Sequence, residues 1–188
     1  LEATTQYWDE WVSRLKYQGP YQLEVRRSAL ALKLCCYEPS GAIVAAPTTS
    51  LPETFGGGRN WDYRFTWLRD SAFVLYALDR YGYDAEMMAF FGFLKRVCRR
   101  VDPEHLQIMF TIDGRRDLAE RNLDHLEGYR ATRPVRVGNA AVRQFQLDVY
   151  GELLKAVNLW NSRTPVSEGL WKVARDLVSL GFSLVATK

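Results

Sequence analysis

Six helical segments alternate along the chain between sequences that are apolar on almost every face and sequences with one apolar stripe. Residues 71–81 are of the first kind, and residues 142–160 carry apolar side chains at spacings of three and four. A helix that is apolar all round is buried among other elements, whereas a striped helix covers them with one face. We therefore predict an all-α protein in which outer helices sheathe inner ones.

The connections between these segments differ greatly in length, and no motif recurs at a fixed period. An α-solenoid requires such a repeat, so a concentric α/α arrangement with long loops on one side fits the pattern better. The polar stretch of residues 104–139 is far longer than an ordinary connection within a compact domain. We predict that this stretch is a functional loop region.

Composition and charge exclude several classes of function. The 188 residues include 25 Lys plus Arg against 22 Asp plus Glu, spread along the chain, which is unlike the basic patch of a nucleic-acid-binding protein. The longest apolar run is too short to span a bilayer, and the start does not resemble a signal peptide, so we expect no membrane partner and a cytoplasmic location. Cys35, Cys36 and Cys98 fit reduced thiols better than a disulfide framework or a metal site.

Residues 60–70 form the densest group of aromatic and charged side chains, directly before the apolar helix. Charges buried beside aromatic rings must be paired or hydrogen-bonded, and folds adopt that arrangement mostly at functional sites. Aromatic faces together with arginine and carboxylate groups suit a sugar ligand. The group comprises Trp61, Asp62, Tyr63, Arg64, Phe65, Trp67, Arg69 and Asp70.

A structural interpretation of this segment stays open beside the functional one. Asp70 is well suited to be the N-cap of a helix starting at Ser71, because its side chain can accept hydrogen bonds from the free N–H groups of the first turn. In that case Arg69 pairs with Asp70, and the tryptophans are ordinary core residues.

Three smaller motifs favour structural interpretations. The three glycines of residues 56–58 lack the Lys-Ser or Lys-Thr of a phosphate-binding loop and indicate a flexible turn. His105 and His125 lie in polar sequence without evident metal-binding partners. The carboxylates around Glu120 and the neighbouring arginines are typical of a solvated charged surface. We therefore expect neither a nucleotide, a metal ion nor another cofactor.

The stretch Arg-Asn-Trp-Asp-Tyr-Arg-Phe-Thr-Trp-Leu-Arg-Asp (residues 59–70), together with residues 41–53, resembles the signature of glycoside hydrolase family 15. That family includes bacterial glucoamylases and related trehalases. Four further stretches are similar to the family in order and spacing, namely residues 106–114, 126–129, 133–141 and 146–152.

The resemblance implies an (α/α)6 toroid, with the active site at the loops that lead into the inner helices. Residues 1–20 would then be a leading helix and linker. Residues 21–188 would be the first half of the catalytic domain, roughly five barrel helices, ending before the loop of the catalytic acid. The missing half of the barrel is then an expected partner of this chain.

The activity implied by the resemblance is hydrolysis of α-glucosidic bonds with inversion. The substrate is either the non-reducing end of a maltooligosaccharide or trehalose. By motif match, Arg69 and Asp70 would hydrogen-bond the hydroxyls of one glucose, and Tyr63 and Trp67 would line its pocket. Arg133 would contribute to the neighbouring substrate wall, and Asn139 beside it has a weaker claim.

The resemblance assigns no catalytic residue to this chain, because both carboxylates are expected downstream of Lys188. Residues 168–172, Glu-Gly-Leu-Trp-Lys, superficially resemble the acid loop, but Lys172 stands at the position of the acid. We therefore expect the isolated chain to be inactive. The alternative is a catalytically dead helical module that binds a sugar or a protein as a regulator, and a plain helical interaction domain is a third possibility.

Overall fold

The computed structural model describes residues 1–98 and 106–186, with side chains described through residue 180. His105 and the first residues of the predicted loop region lie outside the described residues. Within the described ranges the chain forms six α-helices and six two-residue strands. The helices are α1 (Glu2–Ser13), α2 (Gln22–Leu34), α3 (Leu68–Tyr81), α4 (Asp84–Cys98), α5 (Asp148–Asn161) and α6 (Glu168–Ala186).

The strands form three small antiparallel ladders that hold the long connections in place. β1 pairs with β2, β3 pairs with β4, and β5 pairs with β6. Two short 3-10 helices, Tyr129–Ala131 and Ala140–Arg143, lie in the connection before α5. The strands are β1 (Cys36–Tyr37), β2 (Ala42–Ile43), β3 (Thr66–Trp67), β4 (Met109–Phe110), β5 (Arg121–Asn122) and β6 (Arg136–Val137).

Helices α3 and α5 run side by side in the same direction. Arg69 in the first turn of α3 contacts Asp148 at the start of α5, while Asp79 near the end of α3 contacts Arg163 just beyond the end of α5. Helices α2 and α4 pack on α3, and α6 packs on α5 and α4. This mostly helical layout confirms the all-α prediction and is consistent with part of an (α/α)6 toroid.

The main core lies between α3, α4 and α5. Phe90, Phe93 and Leu94 of α4 are buried, and the ring of Phe93 meets Phe110 of β4 edge to face. Leu75 of α3 belongs to the same cluster. Burying side chains of this size contributes roughly 1.5–3 kcal/mol each, which makes this cluster the main support of the loops at the start of α3. No helix within the described residues is long and apolar enough to cross a membrane.

The first helix packs against the rest of the chain through its two buried residues, Trp11 and Val12. Trp11 is 1% exposed, and its indole ring stacks on Tyr83 with 3.9 Å between ring centroids. Its Nε1 donates to the Glu86 carboxylate over 2.7 Å, and Lys33 Nζ donates to the same oxygen over 2.9 Å. The hydrogen bond and aromatic stack of Trp11 therefore join α1 to the start of α4, and the buried Lys33–Glu86 ion pair joins α2 to α4.

Several predicted boundaries differ from the structure. Helix α3 begins at Leu68 rather than Ser71, so Asp70 lies in the first turn and the N-cap interpretation is wrong. Phe73, predicted to be buried, is 54% exposed. The predicted helix of residues 142–160 is a 3-10 turn at its start, and α5 begins only at Asp148. The predicted apolar helix of residues 71–81 ends at Tyr81 as expected, and Gly82 follows it with φ of 85° in the left-handed region.

Candidate functional site

A short stretch of extended backbone presents the aromatic side chains before α3. Three backbone N–H groups between residues 45 and 50 donate to carbonyl groups of residues 61–65. Side chains alternate between the two sides of extended backbone, so Trp61 and Tyr63 share one side while Asp62 lies on the other. The pairing of β3 with β4 then fixes Trp67 at the start of α3.

The aromatic side chains line a cleft of about 480 Å³, which lies within the size range of small-molecule sites. Its other walls come from the long connection before α5. Of the five predicted site residues, only Tyr63 and Trp67 line this cleft. The lining residues are Trp61, Tyr63, Trp67, Glu120, Asn139, Ala140, Ala141 and Gln144.

Arg69 joins the starts of α3 and α5 beside this cleft. Its Nη1 donates to Gln146 Oε1 over 2.7 Å and to Asp148 Oδ2 over 3.1 Å. Its Nη2 lies 3.2 Å from Asp70 Oδ2, and the guanidinium carbon is 5.7 Å from the centroid of the Trp67 ring. The guanidinium is therefore held by two hydrogen bonds, one ion pair and one aromatic face, and its Nε–H and Nη2–H groups make no hydrogen bond within the described residues.

Asp70 offers an acceptor at the same place. Its side chain is 40% exposed although Oδ2, the oxygen near Arg69, is buried, so the accessible oxygen is Oδ1. Burial raises the pKa of Tyr63, and the negative charges of Glu53 and Asp70 raise it further. Tyr63 therefore stays a neutral phenol that can donate or accept a hydrogen bond.

Asp62 and Arg64 form a pair that supports the site without lining it. Arg64 Nε and Nη2 donate to the two oxygens of Asp62, each over 2.9 Å, and the side chain of Asp62 is only 1% exposed. Asp62 also accepts from the backbone N–H of Gly138, and Asn139 Nδ2 donates to the Asp62 carbonyl. The amide of Asn139 is thus committed to holding the long connection against the aromatic segment.

Arg136, the first arginine after the Arg133-Pro134 dipeptide, contacts the site, whereas Arg133 does not. Arg133 is exposed, precedes a cis peptide bond to Pro134, and makes no hydrogen bond or ion pair within the described residues. Arg136 lies with its guanidinium carbon 4.5 Å from the centroid of a Trp61 ring and its Nε 3.4 Å from Glu120 Oε1. Glu120, interpreted from the sequence as part of a solvated surface, has a side chain that is only 23% exposed.

The sequence carries one signal for Arg136 and none for Glu120. Arg136 lies within the stretch of residues 133–141 that resembles the family, but the dipeptide Arg133-Pro134 drew attention to the wrong arginine. Glu120 carries no such signal, because its place in the cleft depends on the β5–β6 ladder folding the connection back.

A family model described as "Glycosyl hydrolases family 15" matches residues 19–180. The chain belongs to this family. A trehalase of Thermoplasma acidophilum is 45% identical over 180 residues, which cover 95% of this chain and 30% of that protein. A trehalase of Mycolicibacterium smegmatis is 44% identical over 179 residues, covering 93% of this chain and 27% of that protein. No solved structure matches the chain.

This glycoside hydrolase family 15 chain spans between 25% and 30% of the length of the curated relatives that it matches. The stretch of residues 168–172 is the first turn of α6, so it is helix and not the acid loop. Within the described residues no group of three or more metal-binding side chains occurs. Burial raises the pKa of the Cys36 and Cys98 thiols to about 12, which makes them poor nucleophiles.

Proposed function

We propose that the protein containing this chain hydrolyses the α-glucosidic bond of trehalose, and that the chain supplies part of the pocket for one glucose unit. The observation that carries the proposal is the Arg69–Asp70 pair at the start of α3, beside a cleft with aromatic walls. Membership of the family supports the reaction class, and the relatives named trehalase support the substrate.

Each proposed binding residue has a role that its surroundings permit. Asp70 accepts hydrogen bonds from glucose hydroxyls through its accessible oxygen, while Arg69 orients that carboxylate through the ion pair and adds its remaining N–H donors. Tyr63 and Trp67 cover the apolar C–H face of the ring. Arg133 is proposed for the neighbouring wall, where its exposed guanidinium is free to meet substrate.

The proposed reaction inverts the anomeric carbon. One carboxylic acid protonates the leaving oxygen, and a second carboxylate activates a water molecule that attacks the opposite face of the sugar. The two carboxyl groups stand about 6.5–9.5 Å apart so that the water fits between them. We assign both to residues downstream of Lys188, and the isolated chain is then inactive.

Release of glucose from maltooligosaccharides remains an alternative within the same reaction. A terminal glucose presents the same hydroxyls in maltose as in trehalose, so the Arg69–Asp70 pair binds either sugar in this proposal. The preference between them comes from contacts with the second sugar ring.

The test is glucose release by the full-length protein from trehalose and from maltose. We expect hydrolysis of both, with trehalose preferred. A folded full-length protein that releases glucose from neither sugar would instead support a binding module without catalysis. Glucose release by residues 1–188 alone would refute the assignment of both carboxylates to other residues.

The role of Asp70 is tested by Asp70→Asn in the full-length protein. A hydrogen bond to a charged group contributes about 1.5–3 kcal/mol, so kcat/KM for trehalose should fall about 10-fold to 150-fold. The matched control is Asp124→Asn, an exposed carboxylate in the long connection that does not line the cleft. Equal activities of the two variants would remove Asp70 from the site.

A further inference from the structure

The cleft extends beyond the two aromatic residues proposed to cover the first glucose. Besides Tyr63 and Trp67, its lining includes Trp61, Glu120 and Gln144, together with residues 139–141. Its volume of about 480 Å³ is large enough for a small organic ligand. The part of the cleft lined by Trp61, Glu120 and Gln144 is therefore available to a second sugar ring.

Glu120 has hydrogen-bonding capacity left in this part of the cleft. Its Oε2 accepts from the backbone N–H of Ala140 over 3.1 Å. Its Oε1 lies 3.4 Å from Arg136 Nε, but that Nε has no hydrogen bond within the described residues, so the contact is an ion pair only. A carboxylate has about four lone-pair sites, and those of Oε1 remain open to a hydroxyl donor.

Arg136 and Trp61 keep Glu120 in position. Arg136 Nη1 donates to the carbonyl groups of Gly58 and Asn60, and its guanidinium packs on the Trp61 ring. The Arg136 ion pair and the hydrogen bond from the Ala140 N–H therefore hold the Glu120 carboxylate at the cleft wall.

Gln144 supplies a polar group of the cleft lining that has an unused donor. The side-chain oxygen of Gln144 accepts from Gln146, which leaves its amide N–H₂ as an unused donor in the described structure. A ligand that brings both hydroxyl donors and acceptors, together with an apolar face for the tryptophans, matches this set.

We infer that Glu120, held by Arg136, binds a hydroxyl of the second glucose of the substrate, the ring released as the leaving group, with Trp61 as its apolar wall and Gln144 as a donor. This inference rests on the proposed function. It makes Glu120 a specificity-determining residue, because the second ring alone distinguishes trehalose from maltose.

The experiment compares two substrates of the full-length protein that differ in the leaving group. Trehalose occupies both parts of the cleft, whereas α-D-glucosyl fluoride has one sugar ring and a small leaving group. For Glu120→Gln we expect kcat/KM to fall about 10-fold to 100-fold on trehalose and less than about twofold on glucosyl fluoride. Glu127→Gln, an exposed acid in the same connection, is the control and should change neither value.

Gln144→Ala provides a second variant, because an exposed residue can be truncated without loss of the fold. It should reduce activity on trehalose selectively, by a smaller factor than Glu120→Gln. In variants with unchanged melting temperature, equal losses on both substrates, or no loss on trehalose, would overturn this inference and leave the proposed function standing. If the unmodified protein hydrolyses neither substrate, the proposed function fails and the inference fails with it.

Discussion

Replacing Glu86 by alanine should leave the Lys33 ammonium group buried without its partner. The Lys33 side chain is 10% exposed and the Glu86 side chain is 7% exposed, with Nζ and Oε1 separated by 2.9 Å. Breaking a buried pair by removing one partner costs about 3–5 kcal/mol. Trp11 would also lose the acceptor for its indole N–H. We therefore expect α1, α2 and the start of α4 to open far more often than in the unmodified protein.

Hydrogen exchange of the full-length protein, followed on peptides from α1 and α2, measures this opening. At 1.36 kcal/mol per factor of ten, a cost of 3–5 kcal/mol corresponds to about 100-fold to 5,000-fold faster exchange. Glu24→Ala, an exposed carboxylate on α2, is the matched control and should change exchange only slightly. The double substitution of Lys33 and Glu86 by Met and Leu should recover most of the loss, because no charge then remains buried.

The pH dependence of the same pair gives a second check. Burial alone raises the pKa of Glu86, but the bonds from Lys33 and Trp11 outweigh it and lower that pKa below its ordinary 4.5. Burial alone lowers the pKa of Lys33, yet the bond to Glu86 raises it above 10.5. The stabilisation is lost only as pH falls through the first value or rises through the second. An effect of Glu86→Ala no larger than that of Glu24→Ala near neutral pH would refute the reasoning.

Two further outcomes are expected. Gly138 has φ of 81°, and a Cβ there would lie 2.1 Å from the Ala119 carbonyl oxygen, so Gly138→Ala should displace the long connection, lower the melting temperature and weaken trehalose hydrolysis; unchanged activity would contradict this. Burial raises the pKa of Asp79 above its ordinary 3.8, although the Arg163 charge opposes the shift. The free energy of unfolding should therefore fall as pH rises from the ordinary pKa to the raised one. Asp79→Asn should then cost nothing at neutral pH in urea denaturation, and a clear loss would argue against it.

The helical part of the fold was predictable because it depends on local periodicity. The start of α3 was not, because it is set by a distant partner: the backbone N–H of Leu68 donates to the Ile108 carbonyl, next to the pairing of β3 with β4. Phe73 matches the pattern of a buried residue but is exposed among the described residues. Periodicity predicts which side chains are apolar, and it does not predict which surface covers each of them.

Some contacts of the candidate site could be predicted from the sequence and others could not. Trp67, Arg69 and Asp70 lie within a few positions of one another, so their proximity follows from the sequence itself. Arg69 is held by Gln146 and Asp148, which are more than seventy positions away and meet it only because α3 and α5 start side by side. No local pattern records a contact of that kind.

Several backbone N–H groups help to hold the long connection before α5 in place. The N–H of Arg136 donates to Ser50 Oγ, and the N–H of Asn139 donates to the Leu118 carbonyl. Such bonds do not depend on the identity of exposed side chains, so positions such as Arg133 and Gln144 can diverge during evolution while the path of the chain persists. If residues of this connection contact the second sugar, as we infer, substitutions in one surface segment would change which sugars the protein accepts, and the helices beneath it would not need to change.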